Sequence, residues 1–92
     1  MIISNWPNPF RTLTRIHYSL PVHTPVSIDV FNLQGQRVAT LVHADQGPGV
    51  FAVAFEPGAA NPRHAGPLPA GVYFCRLQAG AFSGTRKMLL LR

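Results

Sequence analysis

The sequence predicts an all-β fold, an antiparallel β-sandwich of six to seven strands. Apolar side chains recur with a period of two residues in several segments, while no segment has the 3.6-residue period of an amphipathic helix. Nine prolines and eight glycines divide the 92-residue chain into pieces of strand length. Because a hairpin is unstable alone, the strands must pack as two sheets or close into a barrel, and we favour the two-sheet sandwich.

The first half of the chain predicts three strands, two of which form a hairpin. Period-two alternation indicates strands over residues 15–20, 26–32 and 37–42. Asn32 opens a type I turn between the second and third strands, and Gly35 supplies the positive φ of a bulge. The third strand breaks strict alternation, which predicts an irregularity in its pairing. A Pro/Gly loop is predicted over residues 45–49.

The second half of the chain predicts three more strands, over residues 51–55, 71–79 and 82–91. The Gly-, Pro- and Ala-rich residues 58–69 are predicted to form a long mobile loop. A short seventh strand is expected either within residues 5–13 or within that loop, and seven is the usual number for an immunoglobulin-like sandwich. The run Met88-Leu89-Leu90-Leu91 predicts that the last strand is buried on both faces.

Length and charge restrict the possible functions. A chain of 92 residues predicts one domain, residues 1–92, with a thin core and little room for an enclosed active site. The net charge of +5 comes from bases dispersed along the chain, whereas nucleic-acid-binding proteins concentrate them on one face. We therefore expect no nucleic-acid partner, although affinity for an acidic surface polysaccharide stays open. No apolar window approaches the roughly 18 residues of a membrane span, and the first ten residues lack a signal-peptide pattern.

Residues that could support catalysis or bind a metal are few and scattered. The three acids are Asp29, Asp45 and Glu56, which form a poor set for acid–base catalysis. The four histidines are widely spaced, and no Cys-x-x-Cys or nucleotide-binding motif occurs. The lone Cys75 lies in an apolar strand, where a buried structural role is expected. We predict that the protein is not an enzyme and has no catalytic residue, metal site or cofactor.

Four short motifs occur in order along the chain. They are Pro7-Asn8-Pro9-Phe10, the segment Val-Phe-Asn-Leu-Gln-Gly-Gln-Arg-Val over residues 30–38, Leu-Pro-Ala-Gly-Val-Tyr-Phe over residues 68–74, and Thr-Arg-Lys-Met-Leu-Leu over residues 85–90. Together they resemble the type A C-terminal sorting domain of the type IX secretion system. The related immunoglobulin-like domain of flagellar hook-cap proteins shares the middle motifs. Trp6 and the length of the 58–69 loop depart from the family pattern.

The resemblance implies a function and a location. Such a domain forms the C-terminal end of a larger exported protein of a Gram-negative bacterium, passes through the periplasm, and reaches the cell surface or the extracellular space. Its implied partners are the outer-membrane secretion machinery and the processing protease of that machinery. Surface lipopolysaccharide is a further implied partner, to which the mature protein is fixed in many members.

The motif residues have separate physical roles. Asn8-Pro9 is expected to fix an extended turn that points the incoming linker at the sandwich. Seven positions are predicted to be structural: Asn8, Pro9, Asn32, Gly35, Gly71, Val72 and Tyr73. The last strand is predicted to be read by the secretion machinery through Lys87, Met88, Leu89, Leu90 and Leu91, because a terminal strand can offer its edge to a partner.

Two other functions stay open on the sequence alone. One is a structural spacer or assembly module of the hook-cap kind, which requires further sequence after the domain. The other is a carbohydrate-binding module, which requires exposed aromatic side chains. Trp6 is the aromatic residue to test for that role, since it lies outside the clearly predicted strands.

Overall fold

The computed structural model describes residues 3–57 and 68–91, and these form a two-sheet β-sandwich. Its strands are β1 (Ile3–Trp6), β2 (Thr14–Leu20), β3 (Thr24–Asn32), β4 (Arg37–Gln46), β5 (Gly49–Phe55), β6 (Gly71–Ala79) and β7 (Phe82–Leu90). One sheet has the order β1-β2-β5 and the other β4-β3-β6-β7, with antiparallel neighbours throughout. The predicted all-β immunoglobulin-like sandwich is thereby confirmed, with seven strands in the described part.

The short seventh strand that the sequence predicts is β1, at the beginning of the described residues. β1 pairs with β2, so that Trp6 lies opposite Arg15, and it overlaps the predicted residues 5–13 only at its end. Pro7 and Pro9 have no N–H group to donate to a ladder, which explains why the strand stops at Trp6. The other predicted location, the loop over residues 58–69, falls outside the described residues except for Leu68 and Pro69.

β4 is longer than the sequence predicted. It continues to Gln46, so the expected loop over residues 45–49 is reduced to residues 47–48. Two register shifts against β3 leave Val38 and Leu41 without a direct partner, which confirms the predicted irregularity. Each shift changes the face on which the following side chains lie. The alternating pattern is therefore interrupted, and it does not predict that the strand continues to Gln46.

The hairpin between β3 and β4 forms as predicted. The N–H of Gly35 donates to the carbonyl of Asn32 at 3.0 Å, and the N–H of Asn32 donates to the carbonyl of Gln36 at 2.9 Å. Gly35 has φ 84°, as the bulge requires. The Asn32 Oδ1 atom also accepts the N–H groups of Gln34 and Gln36. This tight turn places β4 beside β3, whereas in the constant-type immunoglobulin arrangement the fourth strand pairs with the fifth.

The core lies between the two sheets. Among residues 3–57 and 68–91, the side chains with no exposed surface are Thr14, Ile16, Ile28, Val30, Phe55, Cys75, Leu77 and Met88. Phe10 packs edge-on against Phe55 with ring centroids 6.1 Å apart. Tyr18 stacks on Phe51 and donates its hydroxyl to Gln46 Oε1 at 2.6 Å, which joins β2 to the end of β4 across the two sheets.

Tyr73 fixes the entry into β6. Its ring is buried, as predicted, and its hydroxyl donates a 2.6 Å hydrogen bond to the carbonyl of Pro69, four residues earlier. A tyrosine that bonds back to the backbone in this way at the start of the sixth strand is a hallmark of immunoglobulin-like domains. Gly71, between the two, has φ 149°, a conformation that other residues rarely adopt, and this supports its predicted structural role.

Candidate recognition surface

The four motif segments meet at one end of the four-stranded sheet. Asn32 lies opposite Tyr73 on β6, and Tyr73 lies opposite Met88 on β7. Because the strands are antiparallel, the end of β3, the start of β6 and the end of β7 lie at the same end of the sheet. Phe10 from the first motif bridges to Leu90 at the same place. We call this region the motif end.

The last strand is an edge strand with one buried face, and this corrects the prediction of burial on both faces. Met88 and Leu90 point into the core, whereas Leu89 and Leu91 are 36% and 37% exposed. One face of β7 packs on the core and the other meets solvent, so its side chains alternate between buried and exposed at residues 87–91. Of the five residues predicted for recognition, Lys87, Leu89 and Leu91 are accessible, and the other two belong to the core.

The first motif covers the outer edge of β7. The Asn8 side chain donates from Nδ2 to the carbonyl of Lys87 at 3.2 Å and accepts the N–H of Leu89 at Oδ1 at 2.9 Å. The N–H of Phe10 then donates to the carbonyl of Leu89 at 3.0 Å, and the N–H of Leu91 donates to the carbonyl of Phe10 at 2.8 Å. We call these four bonds the edge cap. The carboxamide of Asn8 thus continues a ladder that the backbone of Pro9 could not.

The edge cap corrects two predictions. The segment around Asn8-Pro9 is bent rather than extended, and the Asn8 side chain is hydrogen-bonded to β7. The edge of β7 is also not open between Lys87 and Leu91, since Asn8 and Phe10 occupy its hydrogen-bonding groups. A partner that binds here in the capped state must contact side chains.

Accessible side chains of three strands form a continuous patch on the outer face of the motif end. Cross-strand pairing places Phe31 beside Phe74 and Phe74 beside Lys87, while Val72 lies beside Leu89. We define these five residues as the terminal patch. Phe31, Val72 and Phe74 are half-buried, and Lys87 and Leu89 are exposed. Val72 therefore has a position in the sheet from which it can contribute both to structure and to this surface.

Arg76 borders the terminal patch and adds a second cation to it. Its guanidinium carbon lies 4.7 Å from the centre of the Phe31 ring, a cation–π geometry. Its Nε atom is buried and has no hydrogen-bond partner. Arg76 also lies opposite the buried Asp29, whose carboxylate accepts a 2.8 Å hydrogen bond from Thr40. The surface therefore combines aromatic rings with positive charge, and the neighbouring acid, Asp29, is buried beside Arg76 and Thr40.

The sequence pattern identified only part of this surface. Alternation along residues 71–79 predicts that Phe74 and Arg76 lie on the face opposite Tyr73, and the structure places them there. The sequence did not indicate their partner on β3, because the pairing of Phe31 with Phe74 depends on the register between distant strands.

A hollow of about 290 Å³ lies beside the motif end, and its lining includes Asn32, Leu68 and Tyr73.

The buried thiol is unsuited to nucleophilic chemistry. Burial, together with the nearby Asp29 carboxylate, raises the pKa of Cys75 from 9.0 to about 12. Across residues 3–57 and 68–91, no three His, Cys, Asp or Glu side chains lie close enough together to hold a metal ion. The same residues include no helix that is long and apolar enough to cross a membrane.

The fold and the site define the class of protein as an immunoglobulin-like β-sandwich whose last strand is capped along its edge by an N-terminal motif. Comparison of the chain with protein-family models, with curated proteins and with solved structures finds no match. The resemblance to sorting domains therefore rests on the four motifs themselves.

Proposed function

We propose that this domain is a non-catalytic sorting and attachment signal, which directs the larger protein that carries it through the outer membrane to the cell surface. The outer-membrane secretion machinery binds the terminal patch. After export, the associated protease processes the protein, and the mature protein is attached to surface lipopolysaccharide. The observation that carries the proposal is the convergence of the four motif segments on one end of one sheet, although they are far apart in sequence.

The chemistry of the terminal patch suits protein recognition. Aromatic rings and arginine are enriched in the centres of protein interfaces, where they provide large contact areas. Here Phe31, Phe74 and Arg76 supply such a centre, and Lys87 with Leu89 extends it onto the terminal strand. A partner that presents an apolar ridge flanked by acidic side chains would complement this surface.

The edge cap makes recognition depend on the folded domain. Lys87 and Leu89 are held in register by Asn8, 79 and 81 positions earlier in the chain. An unfolded or truncated domain would lose both the alternation of the last strand and the neighbouring rings of Phe31 and Phe74. The machinery would then export only proteins whose C-terminal domain has folded.

Export of a fluorescent fusion tests the proposal. The domain is attached to the C-terminus of a periplasm-directed fluorescent protein in a bacterium with a working type IX system, and surface fluorescence is measured. We expect the intact domain to reach the surface and the double variant Lys87→Gln/Leu89→Ser to remain in the periplasm. Both substitutions are at exposed positions, so the fold should persist.

A matched control separates recognition from a general loss of exposed apolar area. Val22 is 62% exposed at the opposite end of the sandwich, and a Val22→Ser fusion should reach the surface like the intact domain. Circular dichroism of the three purified domains should show the same β-structure. Periplasmic retention of the intact fusion, or export of the Lys87→Gln/Leu89→Ser fusion, would contradict the proposal and favour a spacer module.

A further inference from the structure

The outer face of the three-stranded sheet carries an exposed tryptophan. Trp6, at the end of β1, is 74% exposed, although tryptophan is among the side chains that proteins bury most extensively on average. Its cross-strand neighbour is Arg15 on β2, and Arg15 in turn lies opposite Ala54 on β5. All three side chains are accessible. The large flat ring of Trp6, the permanent cation of Arg15 and the small side chain of Ala54 therefore lie in one row across the sheet.

The rest of this face carries small and polar side chains together with one exposed apolar residue, Val50. Ala52 and Ala54 are small outward residues of β5, so no bulky side chain of that strand stands opposite Arg15 or His17. Beside the next row, a shallow hollow of about 300 Å³ is lined by Ser4, His17, Tyr18, Ser19 and Val50, and most of its wall is apolar. From Arg15 to Ser19 the strand spans roughly 13 Å. The face could accommodate a short, extended, hydroxylated chain.

The charge of this face favours an acidic ligand over a neutral one. None of the three strands contains Asp or Glu, while Arg15 carries a permanent positive charge. Arginine binds a carboxylate through two parallel hydrogen bonds that are strengthened by the opposite charges, an ion pair that a neutral sugar cannot form. The indole of Trp6 offers an apolar surface for the C–H face of a sugar ring and an N–H donor at its rim.

We propose that the outer face of the three-stranded sheet binds an acidic polysaccharide that contains uronate sugars. Trp6 stacks on one sugar ring, Arg15 binds the carboxylate of that sugar or of its neighbour, and Ser4 and His17 hydrogen-bond hydroxyl groups further along the chain. This function is separate from the sorting signal, because it uses the other sheet and shares no residue with the terminal patch.

Trp6 is the only tryptophan of the chain, so its fluorescence reports on this face alone. The 92-residue protein is titrated with oligogalacturonate and, separately, with neutral dextran of similar length. We expect oligogalacturonate to shift the emission to shorter wavelengths, because the sugar displaces water from the indole, and we expect dextran to leave it unchanged. The shift should weaken as salt is raised, since an exposed ion pair is screened.

Three variants assign the binding to named residues by calorimetric titration with oligogalacturonate. Trp6→Ala should bind on the order of tenfold more weakly, which is the size of a lost aromatic contact. Arg15→Gln should bind more weakly and lose most of the salt dependence. Arg37→Gln removes the same charge from an exposed position on the other sheet and should bind like the natural sequence.

Two results would overturn the proposal. One is the absence of any emission shift or calorimetric heat with oligogalacturonate, which would leave Trp6 to contact a preceding domain or a second copy of the chain. The other is equal weakening by Arg15→Gln and Arg37→Gln, which would indicate non-specific attraction to the net charge of +5. Circular dichroism of Trp6→Ala establishes that the variant is folded.

Discussion

The side-chain amide of Asn8 donates a 3.2 Å hydrogen bond to the backbone carbonyl of Lys87, 79 positions further along the chain. Its oxygen accepts the N–H of Leu89, so one carboxamide replaces one peptide unit of a neighbouring strand. Exposed edges of β-sheets invite pairing with other chains, and proteins cover them in several ways. Here the beginning of the domain covers its end.

Loss of the Asn8 carboxamide should destabilise the fold and expose the edge of β7. Each of the two hydrogen bonds contributes about 0.5–1.5 kcal/mol, so Asn8→Ala should lower the free energy of unfolding by about 1–3 kcal/mol in urea denaturation. Amide exchange of Leu89 should become faster, because its acceptor is gone. Gln78→Ala, which removes an exposed amide from β6 of the same sheet, should change neither quantity. Equal behaviour of the two variants would contradict the role of the edge cap.

Neighbouring residues of the last strand should differ sharply in their contribution to stability. Met88 has no exposed surface, and Met88→Ala should cost about 2–5 kcal/mol because it removes buried volume. Leu89 is 36% exposed, and Leu89→Ala should cost less than about 1 kcal/mol. Urea denaturation of both variants measures the difference. Similar losses would mean that the strand is buried on both faces after all.

A methyl group at Gly35 should destabilise the hairpin through the backbone alone. A Cβ atom would meet nothing within 4 Å at Gly35 or at Gly47, but only Gly35 has a left-handed φ, of 84°. Gly35→Ala should therefore cost about 1–2 kcal/mol, and Gly47→Ala should be close to neutral. Thermal unfolding compares the two. A Gly47→Ala variant that loses as much stability as Gly35→Ala would exclude this explanation.

The thiol of Cys75 should be unreactive until the protein unfolds. Burial, with the nearby Asp29, raises its pKa from 9.0 to about 12, so native protein at pH 8 should not react with a thiol reagent, whereas protein in denaturant should react fully.

The same shift has a consequence for stability at high pH. Above pH 9 the unfolded chain releases the thiol proton while the folded chain keeps it, so stability should fall as pH rises from about 9 toward 12. Burial also raises the pKa of Tyr18, although its hydrogen bond to Gln46 opposes the shift, and this group adds to the decline. Cys75→Ala should show a shallower decline in urea denaturation. An unchanged slope, or labelling of native protein at pH 8, would contradict this account.

Local pattern was sufficient to predict most strands. β6 begins and ends where alternation placed it, because Tyr73, Cys75 and Leu77 face a core that fixes their register. The hairpin at Gly35 was predictable because its turn depends on nearby residues. β4 was shortened in the prediction because its bulges interrupt the pattern, and its last residues are mostly exposed.

The site was less predictable, because it depends on contacts between distant parts of the chain. Lys87 and Leu89 belong to the segment that the sequence predicts for recognition, but the apolar run did not indicate which of its side chains face outward. The sequence indicated neither the hydrogen bonds of Asn8 nor the row formed by Phe31 and Phe74. Pairings across that many residues follow from the fold rather than from any local period.

Photo-crosslinking in living cells tests the central claim most directly. A photoreactive phenylalanine is placed at Leu89 in the terminal patch, or at Val22 at the opposite end, of an exported fusion in a type IX-competent bacterium. We predict a crosslink from position 89, and not from position 22, to an outer-membrane component of the secretion machinery. Export of both fusions with no crosslink from position 89, or with equal crosslinks from both positions, would contradict recognition through the last strand.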